Sequence, residues 1–422
     1  MRPSIWRQPG MRPLVAVTLT GFAGYAVLLP VAPLWVVRGG AGPAGAGLVN
    51  GVLLLATVVT QLFVPAALRR FGWRPVMSAG MVLLGLPAVL YVLSDALAPV
   101  LALSAVRGIG FGVLTVTGSA AAAALVDPAR RGEAIGVYGL AVALPNLLLL
   151  PAGSWVAQNV GFASVFVVSA LPLAGIPAVA RLARALHGHA PDLLEPTSGD
   201  AADDPRSAAY RRLLRPMVLL LSVTLAGGAV ITFVPQMVED ELLGAAGLFV
   251  LGLLAALGRW RAGALADRHG AQRFLWPLVV LTASGSGLVA LAVRGPEATD
   301  PAVFLTAMVV LGLAYGALQN LTLVVAFEVV SRRHHNLGSA VWNVGFDAGT
   351  ALGSVAVGAI AAAASFATAF TVVAALAATV LPLALRRPGP LPGAAGGTMA
   401  GWRTPATGSR TNGDGPSDGS AT

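Results

Sequence analysis

The sequence predicts an all-α membrane protein whose twelve transmembrane helices form two six-helix pseudo-repeats. Three observations predict this fold class: the composition, twelve long apolar runs, and short motifs that recur between the two halves of the chain. Of 422 residues, 56% are hydrophobic and 11% are charged, and the mean hydropathy is +0.78. In a soluble globular domain roughly a quarter of the residues are charged. The bilayer must therefore be the solvent for most of this chain.

The apolar runs are long enough to cross a membrane. A hydrocarbon core of about 30 Å needs about 20 apolar residues of helix, and twelve runs meet this condition. We number them spans 1 to 12 in chain order, with predicted limits at 14–36, 46–68, 75–94, 98–126, 134–157, 161–183, 213–237, 243–260, 274–293, 301–327, 338–361 and 365–385.

Arginine, which supplies every basic residue of the chain, predicts the orientation of these spans. If the N-terminus is cytoplasmic, only Arg38 and Arg294 fall outside and Arg107 lies within a span, which satisfies the positive-inside rule strongly. We therefore expect both termini in the cytoplasm and the chain in a bacterial inner membrane. The pI of about 11.1 is also typical of nucleic-acid-binding proteins, but topology explains these arginines, and we expect no nucleic-acid partner.

A polar stretch rich in Asp, Pro, Ser and Gly separates spans 6 and 7. It divides the chain into an N-terminal six-helix half at 1–186, a cytoplasmic linker at 187–211 and a C-terminal six-helix half at 212–387. The remaining residues, 388–422, are rich in Gly, Pro, Ser and Thr, so we expect a disordered cytoplasmic tail.

The two halves share short motifs at a separation of about 200 residues. Residues 106–114 of span 4 resemble residues 310–318 of span 10, and the arginine pair at 130–131 recurs at 332–333. Phe71-Gly72 after span 2 corresponds to His269-Gly270 after span 8. Two six-helix halves of the same orientation follow from these matches.

The segment after span 8 carries a more specific resemblance. Residues 263–270 read GALADRHG, with Arg259 before them and Arg273 after them, and they resemble the signature loop of the major facilitator superfamily. The start of span 4, residues 103–107, resembles the second motif of that superfamily. The first-half copy of the loop departs from it, with Pro65 at the glycine position and Arg69 at the aspartate position. Over residues 1–387 the pattern is similar to the bacterial drug and sugar efflux permease branch.

This resemblance implies the major facilitator fold and alternating access around a midplane site lined by spans 1, 4, 7 and 10. It also implies that the signature-loop aspartate, with its neighbouring arginines, stabilises one gate state against a helix end of the other half. The gating residues that it implies are Arg259, Gly263, Asp267, Arg268, Gly270 and Arg273.

Two ionisable residues lie deep within predicted spans, where charge is costly and each is by default a functional hypothesis. Arg107 and Asp347 both lie about nine residues into their spans, near the midplane. A carboxyl group in a low-dielectric cavity favours its protonated form, so Asp347 is our candidate for proton coupling. Arg107 cannot carry protons but can attract an anion or tune a carboxylate. A purely structural role remains open for both residues.

Neutral polar residues add weaker candidates. On span 11, Ser339, Asn343, Asp347, Thr350 and Ser354 share one helical face, and three glycines occupy roughly the opposite face. Polar residues inside spans either line a cavity or join neighbouring helices. With Arg107, the substrate and cavity candidates are Tyr25, Asn50, Gln61, Tyr315, Asn320 and Asn343.

The leading functional hypothesis is proton-coupled export of a small amphiphilic compound, such as a drug, metabolite or sugar-like molecule, by a monomeric antiporter. Proton-symport uptake of a small nutrient uses the same residues and is the alternative. A polytopic membrane enzyme is a remote alternative, because no catalytic constellation is recognisable in the sequence. Cysteine is absent and the histidines lie away from the midplane, so we expect no cofactor and no metal.

Overall fold

The computed structural model describes residues 4–126, 130–187, 206–294, 299–331 and 334–386, without the side chains of residues 131, 132, 267, 335 and 336. Most of the predicted linker and all of the predicted tail lie outside these described residues. Residues 206–211, predicted as the end of the linker, already belong to the helix of span 7.

The described residues form helices at all twelve predicted spans, which confirms the fold class. Spans 1, 6 and 12 are each divided into shorter helices, and span 3 ends in a short 3₁₀ turn. A further 3₁₀ turn, Ile5–Arg7, precedes span 1. In chain order the helices of the spans are Met11–Leu28 with Val31–Arg38, Pro43–Phe71, Trp73–Leu90 with Tyr91–Leu93, Leu97–Ala124, Arg131–Asn159, Phe162–Val168 with Leu171–Ala174 and Ile176–Ala185, Arg206–Met237, Glu241–His269, Gln272–Ala292, Pro301–Glu328, His335–Ala363, and Phe366–Thr379 with Leu381–Leu385.

Proline causes the break in span 1 and creates a polar site there. Proline has no backbone N–H, so Pro33 cannot donate to the Leu29 carbonyl one turn before it. The Asn50 side chain from span 2 supplies the missing donor, with Nδ2 3.0 Å from the Leu29 carbonyl oxygen. The irregular backbone is therefore satisfied inside the protein, as the bilayer requires.

Span 8 is longer than predicted, which changes the place of the signature segment. The helix runs to His269 rather than ending near residue 260, and Gly270 caps it with a φ of 81°. Gly72 caps span 2 in the same left-handed region, with a φ of 79°. The signature residues 263–269 therefore form the last two turns of a helix, because the alanines among them favour helix until a glycine permits the turn.

The two halves approach closely along spans 2 and 11. The bundle has two sides. We call one the terminal side, because it carries the N-terminus; the even-numbered spans end there. We call the opposite side the far side. Towards the far side, a Cβ atom on Gly47 would collide with the Ser354 carbonyl oxygen, and one on Gly358 would lie 2.6 Å from the Pro43 carbonyl oxygen. Backbone meets backbone here, so the halves are closed against each other on the far side.

The glycine face of span 11 packs on span 7. A Cβ atom on Gly345 would lie 2.8 Å from the Met217 sulfur, and one on Gly353 would collide with the Leu225 carbonyl oxygen. Gly228 on span 7 approaches the Thr350 carbonyl oxygen in the same way, at 2.5 Å. Because the small residues are taken up in this contact, the opposite face of span 11 turns Asp347 towards the N-terminal half.

Candidate functional site

A hydrogen bond between the two halves lies at the centre of the site. Gln61 on span 2 donates from Nε2 to Asp347 Oδ2 on span 11 at 2.7 Å, and the same nitrogen lies 3.3 Å from Thr115 Oγ1 on span 4. Asp347 is 5% exposed and Gln61 is 8% exposed. Gln61 thus connects span 4 of its own half with the Asp347 carboxyl group of the other half, near the middle of span 11.

The side-chain oxygen of Gln61, unlike its nitrogen, lacks a hydrogen-bond partner among the described residues. This carbonyl oxygen, Oε1, is buried. A buried acceptor without a donor costs free energy, about 1–3 kcal/mol for a neutral group. A carboxylate cannot supply that donor, whereas a protonated carboxyl group has one O–H to donate.

Aromatic side chains surround this link on the N-terminal half. Tyr25 on span 1 stacks on Phe111 on span 4, with ring centroids 3.7 Å apart and an interplanar angle of 3°. Phe22 meets the Phe111 ring edge-on at 5.5 Å. Phe111 lies one turn before Thr115 on span 4, so this aromatic group is close to the residues that contact Gln61.

A second aromatic group stands on the C-terminal half. The Tyr315 ring on span 10 lies against the bare backbone of Gly227 on span 7, where a Cβ atom would collide with it. Phe346 on span 11 lies 6.4 Å from Tyr315 and 5.7 Å from Trp342 between ring centroids. Phe346 directly precedes Asp347 in the chain. Aromatic surface from both halves therefore flanks the central link.

Arg259 belongs inside the membrane, which corrects our assignment of it to the gating loop. The extended helix of span 8 continues for ten residues after Arg259, about 15 Å at 1.5 Å per residue. Its Nη2 donates to Gln319 Oε1 on span 10, and its carbonyl oxygen accepts from Asn320 Nδ2 at 2.7 Å. Arg259 is thus a third intramembrane ionisable residue, beside Arg107 and Asp347.

Arg107 is fully enclosed. Its guanidinium donates from Nη2 to the Gly24 carbonyl oxygen at 3.0 Å and from Nε to the Leu84 carbonyl oxygen at 3.3 Å. It also lies over the Tyr91 ring, 5.8 Å from the centroid, and its exposed fraction is 0%. In this conformation Arg107 joins spans 1, 3 and 4 and has no open path to a ligand.

We expect Arg107→Gln to lower the stability of the protein by about 1–3 kcal/mol, because glutamine cannot reach both carbonyl groups. Thermal unfolding of the purified variant should start at a lower temperature, with unchanged ligand affinity at permissive temperature. Gln158→Ala, at the far end of span 5, is the control. A variant of native thermal stability that has lost ligand affinity would instead assign Arg107 to the binding site.

Asn50 forms a second polar link between the halves, closer to the far side. Besides its bond to Leu29, Asn50 Nδ2 donates to Thr232 Oγ1 on span 7 at 2.9 Å. Thr232 Oγ1 lies 2.8 Å from Ser354 Oγ on span 11. Asn50 and Gln61 are eleven residues apart, which places them on one face of span 2. Both contact the C-terminal half, but of the two only Gln61 bonds to Asp347.

The other predicted residues bond within their own helix or lie near the ends of spans. Asn343 Nδ2 donates to the Ser339 carbonyl oxygen of its own helix at 2.9 Å. Arg268 and Gly270 lie at the exposed end of span 8, and Arg273 lies in the first turn of span 9. The side chain of Asp267 is outside the described part of the structure, so its gating role stays a prediction.

One ion pair joins described side chains, Arg130 with Glu133 at 2.9 Å on span 5. The described residues contain no group of three or more His, Cys, Asp or Glu placed to hold a metal. The central site thus consists of one carboxyl group, one exposed arginine, an enclosed arginine, neutral amides and aromatic rings.

Comparison of the whole chain with protein families assigns this architecture. The family profile described as Major Facilitator Superfamily matches residues 14–293 and 245–411, which together span most of the chain. The chain belongs to the major facilitator superfamily. Its members are secondary transporters that work by alternating access between two six-helix halves, so this facilitator acts on small molecules within a membrane.

Solved structures agree with this fold. The chain superposes on a bacterial homologue of the human lysosomal transporter Spinster, solved in an inward-facing, unoccupied conformation. The TM-score is 0.70 and the sequence identity is 13%. The match covers 90% of this chain and 97% of that one. The occupied inward-facing form gives 0.67 and 14% at the same coverage. Comparison with curated protein sequences gave no match.

The sequence of the facilitator contained a signal for one residue that we misplaced. Arg259 is the first residue of the polar segment RWRAGALADRH, which lowers the local hydropathy and led us to end span 8 at residue 260. Thr115 and Thr232 carried no such signal, since threonine inside a span commonly bonds only to its own helix. Their contacts with Gln61 and Asn50 depend on how the halves dock.

Proposed function

We propose that this protein exports small amphiphilic compounds, of drug, metabolite or sugar-like type, in exchange for protons, and that Asp347 carries the proton. The observation that supports this proposal is the hydrogen bond from Gln61 to Asp347. It joins a buried carboxyl group of one half to an amide of the other half. Any rocking movement that separates spans 2 and 11 must break it.

Protonation changes what this link can do. The ionised carboxyl group only accepts, so it uses Gln61 Nε2 and leaves Gln61 Oε1 without a donor. Once protonated, it can donate its O–H to Oε1 after a small rotation and still accept from Nε2. Two hydrogen bonds then replace one, so the protonated form favours the conformation closed on the far side.

This preference has the direction that exchange requires. With the termini in the cytoplasm of a bacterial cell, the far side is external and the described conformation is closed to the outside. A proton taken up from outside would favour closure on the far side and would be released inside. The ionised form would then return outwards with substrate, which is proton-coupled export by a single chain.

The walls of the site indicate the kind of substrate. Tyr25 with Phe111 on one half and Tyr315 with Phe346 on the other place aromatic rings near the link between Gln61 and Asp347. Aromatic rings bind apolar and flat groups, while the carboxyl group and amides offer hydrogen bonds. An amphiphilic compound can use both, whereas a small hydrophilic nutrient would gain little from aromatic walls.

Everted membrane vesicles with an acidic interior test the proposal. Cationic, neutral and anionic aromatic compounds are added one at a time. Proton release from the vesicles is measured as the recovery of fluorescence of a dye that the acidic interior quenches. We expect at least one compound class to release protons in vesicles with the transporter and none to do so in vesicles without it.

Two results would contradict the proposal. Compound-driven proton movement into the vesicle would identify symport uptake. Transport of a labelled compound with no dependence on the proton gradient would identify a uniporter and remove the coupling role from Asp347.

A further inference from the structure

A positive charge stands unneutralised in the middle of the C-terminal half. The ionisable side chains described near the centres of the spans are Arg107, Arg259 and Asp347, two cations against one acid. Neither arginine forms an ion pair with a described residue. Asp267, whose side chain is not described, lies eight residues beyond Arg259 on the same helix, about 12 Å along its axis, too far for a direct pair.

The two arginines differ in access. Arg107 is enclosed, and two backbone carbonyl groups and an aromatic ring already occupy its guanidinium. Arg259 is exposed, and one of its N–H groups donates a hydrogen bond to Gln319. A guanidinium has five N–H donors, so most of its donors remain for another partner. Of the two, Arg259 alone can meet a ligand in this conformation.

Arg259 opens towards the central site rather than towards lipid. An arginine facing hydrocarbon at this depth would cost several kcal/mol. Gln319, which accepts the bond from Arg259, lies one turn after Tyr315 on span 10. The Tyr315 ring lies 6.4 Å from that of Phe346, the residue before Asp347. Arg259, Gln319 and Tyr315 are therefore neighbours on the wall that faces the carboxyl group.

We propose that Arg259 binds the acidic group of the substrate, so that the compounds carried are amphiphilic anions with a carboxylate, phosphate or sulfonate head. The inference deepens the proposed transport function and rests on it. The planar guanidinium matches these heads in two-point geometry, and the aromatic groups beside Tyr315 and Tyr25 receive the apolar body. A cationic compound would be repelled by the uncompensated charge.

Gln319 is a positioning residue in this arrangement. Its Oε1 holds one edge of the guanidinium against span 10 and leaves the remaining N–H groups pointing away from that contact. Asn320 fixes the backbone of Arg259 from the same span through its carbonyl oxygen. The charge is thereby held on a rigid pair of helices rather than on a flexible side chain.

Equilibrium binding to the purified full-length protein tests the inference without requiring transport. The probes are three sets matched in shape and different in charge: 4-phenylbutyrate, 4-phenylbutanol and 4-phenylbutylamine; the corresponding 2-naphthyl compounds; and dodecyl phosphate with dodecanol and dodecylamine. Ligand-dependent thermal stabilisation gives the affinities. We expect an anion to bind at least about 10-fold more tightly than its neutral and cationic counterparts.

The variants Arg259→Gln and Arg259→Lys separate charge from geometry. Arg259→Gln should weaken anion binding about 10- to 100-fold, the equivalent of a lost charged hydrogen bond, and Arg259→Lys should recover part of that loss. Arg261→Gln is the matched control, because Arg261 is exposed on the same helix and lies over Trp260 at 5.0 Å. Unfolding temperatures without ligand verify that each variant is folded.

Equal affinity across the charge series, no binding by any anion, or anion affinity unchanged in Arg259→Gln would overturn the inference. The vesicle assay separates this failure from failure of the transport proposal. Anion binding that depends on Arg259 but drives no proton release would leave the anion site and remove proton exchange. Proton release driven by neutral or cationic compounds, unaffected by Arg259→Gln, would retain exchange and remove the anion site.

Discussion

Replacing Asp347 by asparagine is expected to abolish substrate movement driven by a proton gradient while substrate exchange across the membrane continues. Asparagine is neutral at every pH and nearly the same size as aspartate, so it imitates the protonated residue and can still pair with Gln61. The variant should therefore alternate between conformations but carry no proton. In reconstituted vesicles, uphill accumulation should fall to the level of protein-free vesicles, with counterflow of labelled substrate retained.

The design separates coupling from folding. Glu239→Gln removes an exposed acid between spans 7 and 8 and should leave both activities unchanged. Gln61→Leu removes the only described hydrogen-bond donor to Asp347 and should reduce uphill transport without abolishing it, because the carboxyl group can still exchange protons with water. Full uphill transport by Asp347→Asn would show that the proton is carried elsewhere and that Asp347 is structural.

Replacing Gly47 by leucine is expected to prevent closure of the far side and to abolish turnover. A Cβ atom at this position would overlap the Ser354 carbonyl oxygen, and a backbone atom cannot rotate away as a side chain can. Overpacking of this kind costs about 1–3 kcal/mol or more, which is large against the few kcal/mol that separate the conformations of a two-state protein. The population should shift to the conformation open on the far side.

Spin labels can measure this shift directly, because the chain contains no cysteine. Cysteines introduced at Ala96 and Ala364 place one label on each half in exposed far-side turns. The distance between the labels should lengthen in Gly47→Leu compared with the parent protein. The control is Gly139→Leu on span 5, where nothing lies within 4 Å of an added Cβ atom. An unchanged distance together with normal turnover would show that the contact is not the gate.

The spans and the position of the central acid were predictable from the sequence because they depend on local chemistry. Hydropathy over about 20 residues identifies a span whatever packs against it. The high free-energy cost of placing a carboxyl group in hydrocarbon identifies Asp347 from the sequence in the same way. The end of span 8 was wrong for a related reason. Hydropathy falls before the helix ends, so the sequence predicted the end of span 8 next to Arg259. The helix in fact continues for ten residues after Arg259.

The twelve spans, the two repeated halves, the family and the intramembrane residues Arg107 and Asp347 were all predictable without coordinates. The partners of the buried groups were not: Gln61 for Asp347, two backbone carbonyl groups for Arg107 and Gln319 for Arg259. The cost of burial is a property of each residue type, whereas a partner depends on which helix faces meet. That meeting is decided by close backbone contacts such as Gly47 against Ser354, far apart in the chain.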